Sequence, residues 1–350
     1  MQPQFSSQPT SFSVSLHWLL GAAALVVVLG GLKAISHIVT PILLAVFLAI
    51  ISAPPLTWMQ RRGVPGPVSI LALFSVVGFT FFLLFLALKG AAESMATQAP
   101  IYQARFTGWM LELREFIAQR GLPPDLLPRE LSLPATPTIT GAARDIAGGL
   151  GQFTATSLLV LLAFMFLLLE ERTLSDKLDA AFPNRRRARV RARRFLRSVY
   201  RYLLIKTAAS AATGLVIGIG LLVIGVDFPI LWGIVAGLLN FIPTIGSIIA
   251  AVPAVLIAFL GLGIAEGLGV LGLYVAVNTL IGNILEPRFM GRSLGLSPLV
   301  VLVSLLIWGY VFGPVGMLLS IPLTMVAKLA LDASPQTRWA GILMSDEAKR

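Results

Sequence analysis

Residues 228–260 read FPILWGIVAGLLNFIPTIGSIIAAVPAVLIAFL, an apolar run of 33 residues that is interrupted in its middle. Two full membrane crossings need about 40 apolar residues, and one crossing needs about 20. A length between these values, broken by Asn240, Pro243, Gly246 and Pro253, predicts a helical hairpin. Such a hairpin enters and leaves the membrane on the same side.

A second run, at 299–327, has the same character over 29 residues. Its interruptions are Gly309, Gly313, Pro314 and Gly316, and Pro322 follows them. The pairs Trp232-Gly233 and Trp308-Gly309 stand at equivalent places in the two runs. Paired hydrophobic segments broken by Gly and Pro indicate a transporter binding site, because unpaired backbone groups at membrane depth are tolerated where they line a cavity or bind something. The alternative is a set of plain spans whose glycines allow close helix packing.

The composition of the whole chain is typical of a polytopic membrane protein. Of its 350 residues, 57% are hydrophobic and 12% are charged, and the mean hydropathy is +0.87. A soluble domain has about a quarter of its residues charged, so a soluble enzyme is excluded. The continuous apolar runs also exclude a disordered chain and disfavour a transmembrane β-barrel. We therefore predict an all-α polytopic membrane protein with six full spans and two oppositely oriented re-entrant helical hairpins, or with eight spans.

Charge fixes the predicted orientation. The net charge is +11, and residues 170–206 contain twelve basic and four acidic residues. Because cytoplasmic loops are enriched in Lys and Arg, this segment and both termini are predicted to be cytoplasmic. The predicted segments are a disordered tail at 1–14, three spans within 15–91, an amphipathic extracytoplasmic insertion at 92–145, a fourth span at 146–169, a basic amphipathic helix at 170–206, a transport core at 207–327 that holds two more spans and both hairpins, and a tail at 328–350.

Two amphipathic patterns predict surfaces for partners. In the insertion, apolar side chains recur at helical spacing, at Tyr102, Phe106, Trp109, Leu113 and Phe116. This face can pack on the protein itself or on a neighbouring copy. In the basic segment, arginines stand four residues apart, at Arg185, Arg189, Arg193, Arg197 and Arg201. We expect this stripe to lie on the membrane surface against anionic lipid headgroups, and we do not expect nucleic acid.

Polar residues near the breaks are the candidates for a solute or ion path. Glu286 is the strongest, because a carboxylate near membrane depth is expensive and indicates function. Its alternative role is an interfacial salt bridge with Arg288 or Arg292. The other candidates on the path are Asn240, Pro243, Thr244, Gly246, Ser247, Asn278, Asn283, Ser320 and Thr324. Capping of broken helices and helix packing are the alternative roles of these polar groups. The candidate hinge positions are Pro253, Pro287, Arg288, Gly291, Gly313, Pro314, Gly316 and Pro322.

Catalysis finds little support in the sequence. The chain has two histidines, at positions 17 and 37, and no cysteine. It lacks the Walker A pattern for nucleotide binding and the H-E-x-x-H pattern for zinc. No metal, cofactor or enzymatic activity is therefore expected.

Several motifs together resemble those of the autoinducer-2 exporter family of PerM-like permeases. Residues 240–246 (NFIPTIG) look like its F-I-P-x-x-G signature, and 283–291 (NILEPRFMG) with 294–298 (LGLSP) look like its E-P-x-x-M-G block. Residues 313–316 and 321–323 are similar to its closing G-x-x-G and I-P-L elements. The resemblance implies a bacterial inner-membrane protein that exports small polar solutes such as autoinducer-2. It also implies a homo-oligomer, with a pentamer as the expected form.

Three functions stay open at this stage. The first is a secondary transporter for a small polar solute. The second, also found in the family that the chain resembles, is a sodium(lithium)/proton antiporter that binds a monovalent cation and titrates Glu286. The third is a membrane scaffold without transport, for which changes at Asn240, Gly246 and Glu286 would be silent.

Overall fold

The computed structural model describes residues 11–120, 136–181, 186–243, 245–290 and 295–346. These residues are almost entirely helical, and no β-strand occurs among them. In this part of the chain six helices are long and apolar enough to cross a membrane. The prediction of an all-α polytopic membrane protein is confirmed.

The helices follow one another with short connections. They are α1 (Ser11–Ala34), α2 (Ser36–Arg61), α3 (Gly66–Gln119), α4 (Thr136–Ala181), α5 (Arg186–Ile224), α6 (Pro229–Leu239), α7 (Ile245–Gly261), α8 (Ile264–Val277), a π-helix (Asn278–Leu285), α9 (Glu286–Met290), α10 (Pro298–Leu318), α11 (Ser320–Ala333) and α12 (Arg338–Leu343). The segments long enough to span are Ser36–Arg61, Gly66–Ser94, Gly148–Glu170, Arg197–Ile224, Ile264–Phe289 and Pro298–Leu318.

The six long helices differ in part from the six predicted spans. The first predicted span corresponds to a shorter apolar helix, Leu19–Ala34. The helix α1 already begins at Ser11, inside the segment 1–14 that was predicted to be disordered. Conversely, Pro298–Leu318 has the length of a span, although the sequence predicts it as part of a hairpin.

Three helices run across the predicted segment borders. The helix α3 is 54 residues long and continues from the third span far into the predicted insertion. The basic segment predicted as one helix at 170–206 falls on two helices, since α4 ends at Ala181 and α5 runs unbroken from Arg186 to Ile224. The physical reason is that a change between charged and apolar residues marks the border of a membrane span but does not interrupt a helix. Neither Gly nor Pro occurs between residues 186 and 213 to interrupt the helix.

The helices α5 and α6 pack backbone against backbone. Gly225, with φ of 89°, and Phe228, with φ of 61°, reverse the chain between them. A Cβ atom added at Gly233 would lie 2.8 Å from the Gly214 carbonyl oxygen and 2.8 Å from the Gly218 Cα. Glycines four residues apart on α5 therefore let α6 approach closely, as small residues do in membrane helix pairs.

The predicted breaks coincide with real interruptions of the helices. The helix α6 ends at Leu239 and α7 begins at Ile245, and the two helices contact each other. In α10 the backbone leaves helical geometry at Gly313, with φ of 62° and ψ of −146°. The helix α11 then packs on α10. Both runs are thus broken helix pairs, and their re-entry into the membrane stays a prediction.

Buried apolar residues connect the two broken pairs. One cluster joins α5, α6, α7 and α8 around Ile217, Trp232 and Ala254. A second cluster contains Phe241 from the first break and Ile321 from α11, together with residues of α2 and α5. The first break and α11 share this second cluster. They are therefore mechanically coupled, because close-packed interiors transmit displacement.

Candidate functional site

Buried and half-buried polar side chains lie near one another beside the first break. Lys206, Ser210 and Thr213 lie at helical spacing on one face of α5, and each is at most 8% exposed. Asn240 at the end of α6, Ser247 at the start of α7, Asn278 at the start of the π-helix and Glu286 at its end complete the set. We call these seven residues the polar track.

An ion pair closes one end of the polar track. The Lys206 Nζ atom lies 2.7 Å from Oε1 and 3.0 Å from Oε2 of Glu286. The two side chains are 6% and 13% exposed, respectively. The alternative role of Glu286, a salt bridge with Arg288 or Arg292, is not what the structure shows, because its carboxylate pairs with Lys206. Arg288 is exposed, and Arg292 lies outside the described residues.

Two neutral hydrogen bonds hold the break itself. Asn240 is buried and donates from Nδ2 to the Ser210 Oγ atom at 3.0 Å. The Ser247 hydroxyl donates to Asn278 Oδ1 at 2.9 Å. The structure therefore brings together three of the polar candidates near this break. Thr244 lies outside the described residues.

Gly246 allows the chain to fold tightly at the break. A Cβ atom added there would overlap the Leu239 carbonyl oxygen and would lie 3.1 Å from the Ile242 Cβ. The next residue along from Asn240, Phe241, meets Phe47 of α2 edge-on, with ring centroids 5.5 Å apart. Pro243 is half-buried beside them, and Pro253 lies within α7. The tip of the first pair is thus held by α2 and α5.

Two residues of the π-helix that were predicted to share the path differ in burial. Asn278 is half-buried and bonded to Ser247, whereas Asn283 is exposed. Asn278 and Glu286, which stand at the two ends of the π-helix, both belong to the polar track. Asn283 does not.

The second break has its own contacts and is not joined to the polar track. Thr324 accepts a hydrogen bond from Trp308 Nε1 at 2.9 Å. Ser320 is 1% exposed, and its hydroxyl has no partner among the described residues. A Cβ atom at Gly316 would overlap the Trp308 carbonyl oxygen, just as one at Gly246 would overlap Leu239. The remaining hinge candidates of this region are exposed Pro314 and buried Pro322.

A small cavity lies beside the polar track. Eight described residues line it: Thr213, Ile217, Ala236, Ser247, Ala250, Tyr274, Val277 and Asn278. Four of them carry a polar side-chain oxygen. Thr213 and Tyr274 are not among the predicted site residues, because hydroxyl residues within apolar runs are common and give no signal. Lys206 and Ser210 are also absent from the prediction, because Lys206 follows an arginine-rich segment.

Comparison with known proteins shows the family of the chain. The model of the AI-2E family transporters matches residues 22–336. The chain belongs to this family. It is 36% identical over 328 residues to the putative transport protein YhhT of Escherichia coli K12, covering 93% of each chain. It is 37% identical over 346 residues to a putative transport protein of Haemophilus influenzae, covering 95% of this chain and 98% of the other.

A third relative has a more specific name. The AI-2 transport protein TqsA of Escherichia coli K12 is 35% identical to the chain over 324 residues, covering 92% of this chain and 93% of TqsA. The family resemblance predicted from the motifs is therefore confirmed. The chain is a multi-pass membrane protein of a transporter family.

In this AI-2E family transporter the arginine stripe lies at the start of α5. Arg197 and Arg201 are exposed, and an Nη atom of Arg201 donates to the Phe289 carbonyl at 3.3 Å. Arg189 and Arg193 belong to α5, but their side chains lie outside the described part, as does all of Arg185. Among the hinge candidates, Pro287 and Arg288 begin the short helix α9, and Gly291 lies outside the described residues. The contact with lipid headgroups stays a prediction.

The far end of α3 holds both ends of the first helix pair. The Tyr102 hydroxyl donates to Asp227 Oδ2, just before α6, at 2.5 Å. Arg105 donates to the carbonyl of Leu260, at 3.1 Å, and to that of Gly261, at the end of α7. Burial, together with the hydrogen bond to Asp227 and its negative charge, raises the pKa of Tyr102 above its ordinary value. Asp227 thereby connects the start of the first helix pair to α3.

Proposed function

We propose that this AI-2E family transporter is a secondary permease that exports a small, neutral, polar solute of the autoinducer-2 type. The observation that carries the proposal is the polar track, in which side chains from α5, the first break and the π-helix meet. Broken helices with buried polar groups are the usual construction of transporter binding sites. The name of TqsA gives the class of solute, since that relative is called an AI-2 transport protein.

The charges of the polar track favour a neutral solute over a cation. Its one carboxylate, Glu286, is matched by the Lys206 ammonium at 2.7 Å. A cation would have to displace Lys206 or remain without a counter-charge in a medium of low dielectric constant, which is costly. The sodium(lithium)/proton antiporter is therefore the function that the experiment must separate from solute export.

Several contacts support the re-entrant arrangement of the first helix pair. Its two ends, at Asp227 and Gly261, both meet the extension of α3. Its tip meets Ser210 and Phe47, which lie in the middle parts of the spans Arg197–Ile224 and Ser36–Arg61. The helix α6 has 11 residues and is about 16 Å long, too short for a bilayer core of about 30 Å. In our proposal this pair enters from outside and reaches half-way.

The remaining topology follows from charge and from the family. Both termini and the arginine stripe face the cytoplasm, where anionic lipids bind basic residues, and the membrane is the bacterial inner membrane. The protein forms a homo-oligomer, with a pentamer as the expected form from the family resemblance. Mass measurement of the purified protein in lipid nanodiscs tests the subunit number.

Flux through proteoliposomes tests the function directly. The purified protein is reconstituted, and one assay follows the release of autoinducer-2 while another follows internal pH after a sodium pulse. We expect solute release above that of empty liposomes and no sodium-driven pH change. A sodium-driven pH change that is absent in Glu286→Gln would replace the proposal by the antiporter. Wild-type flux that equals the empty-liposome value in both assays would contradict both.

A further inference from the structure

The cavity beside the polar track lies between α5, α6, α7, the end of α8 and the start of the π-helix. It offers about 10 Å³ to the centre of a water-sized sphere, which is about the room that one water molecule or one hydroxyl group needs. Ser247 and Asn278, two members of its lining, are already bonded to each other. The cavity therefore has room for one small polar group but not for a whole solute.

Two hydroxyl groups in the cavity wall are unsatisfied. Thr213 is 8% exposed and Tyr274 is 6% exposed. Neither the Thr213 Oγ1 atom nor the Tyr274 hydroxyl has a hydrogen-bond partner within the described ranges. A buried polar group without a partner is unfavourable, and most such groups in native proteins are paired. Two in the wall of one cavity indicate that a polar group occupies it during function.

We propose that Thr213 and Tyr274 bind one hydroxyl group of the transported solute in this cavity. A hydroxyl both donates and accepts, so it can pair with two hydroxyls at once. The proposal rests on the function proposed above and adds the residues that recognise the solute.

The electrostatics of the cavity favour a hydroxyl over a cation. None of its eight described lining residues is charged. Ser247 lies in the first turn of α7, where the amide groups and the helix dipole present positive potential. A bare cation would meet that potential without a carboxylate, whereas a neutral hydroxyl needs no counter-charge. The two unsatisfied groups, Thr213 and Tyr274, are also hydroxyls, which can donate hydrogen bonds to a neutral hydroxyl and accept them from it.

Removal of each hydroxyl without a change of shape tests the proposal. The variants are Thr213→Val and Tyr274→Phe. The matched controls are Thr207→Val and Tyr202→Phe, which remove hydroxyls that are also buried without a partner in the described part but do not line the cavity. The purified full chain is titrated with autoinducer-2 while its melting temperature is followed. Export is measured separately in proteoliposomes.

We expect each cavity variant to need about tenfold more autoinducer-2 to reach the same thermal shift as the wild type, as for the loss of one hydrogen bond. The controls reach this shift at the wild-type concentration. Cavity variants that also reach it at the wild-type concentration overturn the proposal, and a lower melting temperature without solute then assigns a structural water to the cavity. Stabilisation by sodium chloride over choline chloride that is lost in the cavity variants overturns it in favour of a cation.

The two assays separate the site from the function. Wild-type protein that exports autoinducer-2, with cavity variants equal to the controls, contradicts the hydroxyl site alone. Wild-type protein that binds autoinducer-2 in the titration but does not release it contradicts the exporter and leaves the site standing. Wild-type protein that neither binds nor exports it contradicts both.

Discussion

Lys206 of α5 and Glu286 at the start of α9 are 80 residues apart in sequence, and their side chains meet at 2.7 Å in a largely buried ion pair. The pair links the span that carries the polar track to the E-P motif that follows the π-helix. Desolvation of both groups means that such a pair adds little net stability, whereas the loss of one partner leaves a buried charge alone.

The first prediction concerns this pair. Lys206→Met and Glu286→Gln should each lower the free energy of unfolding by about 3 kcal/mol or more. The double variant should recover much of this loss, because no unpaired charge remains.

Denaturant unfolding in detergent measures the stability of all three proteins. Lys328→Met is the matched control, since Lys328 and Asp332 are 3.8 Å apart and more exposed, so its effect should be at most about 1 kcal/mol. Additive losses in the double variant would contradict the coupling.

The second prediction concerns the pH dependence of the Tyr102 contact. The native pKa of Tyr102 is raised, mainly by burial and then by Asp227, whereas an unfolded tyrosine titrates near pH 10. Below about pH 10 the Tyr102 hydroxyl keeps its proton in both the folded and the unfolded state, so its contribution to folding stability is fully present. Above about pH 10 the unfolded chain loses this proton first, so the free energy of unfolding falls.

The melting temperature should therefore fall more steeply above about pH 10 in the wild type than in Tyr102→Phe. Tyr310→Phe, which removes a hydroxyl from an exposed side chain, should follow the wild-type curve. Thermal denaturation from pH 8 to pH 11 makes the comparison. Parallel curves for wild type and Tyr102→Phe would show that the hydroxyl does not stay protonated in the folded state.

The positions of the breaks could be predicted from sequence, because Pro243, Gly246 and Gly313 act on the backbone locally. Glu286 could be identified for a similar reason, since a carboxylate in an apolar run stands out by its cost. Its partner could not be found, because Lys206 follows an arginine-rich segment and gives no signal of its own across 80 residues. The predicted borders at 92 and 206 are not helix ends, because hydropathy reports where a span ends, while the helices α3 and α5 continue through these positions.

The third prediction tests the hydrogen bond at the first break. Asn240→Ala leaves the buried Ser210 hydroxyl without its donor, and Ser210→Ala leaves the Asn240 amide without its acceptor. Each change should lower the unfolding free energy by about 1–3 kcal/mol. Autoinducer-2 release should fall in both variants, because the bond holds the tip of the helix pair. The double variant should cost less than the sum of the two. Full release by Asn240→Ala would contradict a role of this hydrogen bond in export.

The last prediction concerns the two glycines that occupy equivalent places in the two breaks. Gly246→Ala and Gly316→Ala would each drive a methyl group into a backbone carbonyl that precedes the break, at Leu239 and Trp308. A carbonyl cannot rotate away as a side chain can, so each change should destabilise by about 3 kcal/mol, the upper part of the range for overpacking. Gly272→Ala in α8, where a methyl group meets nothing within 4 Å, is the control and should be neutral or slightly stabilising. Unfolding and flux are measured on all three.

Since each broken pair closes around its own glycine, both variants should lose export together with stability. Export that survives Gly316→Ala but not Gly246→Ala would mean that the polar track works without the second break.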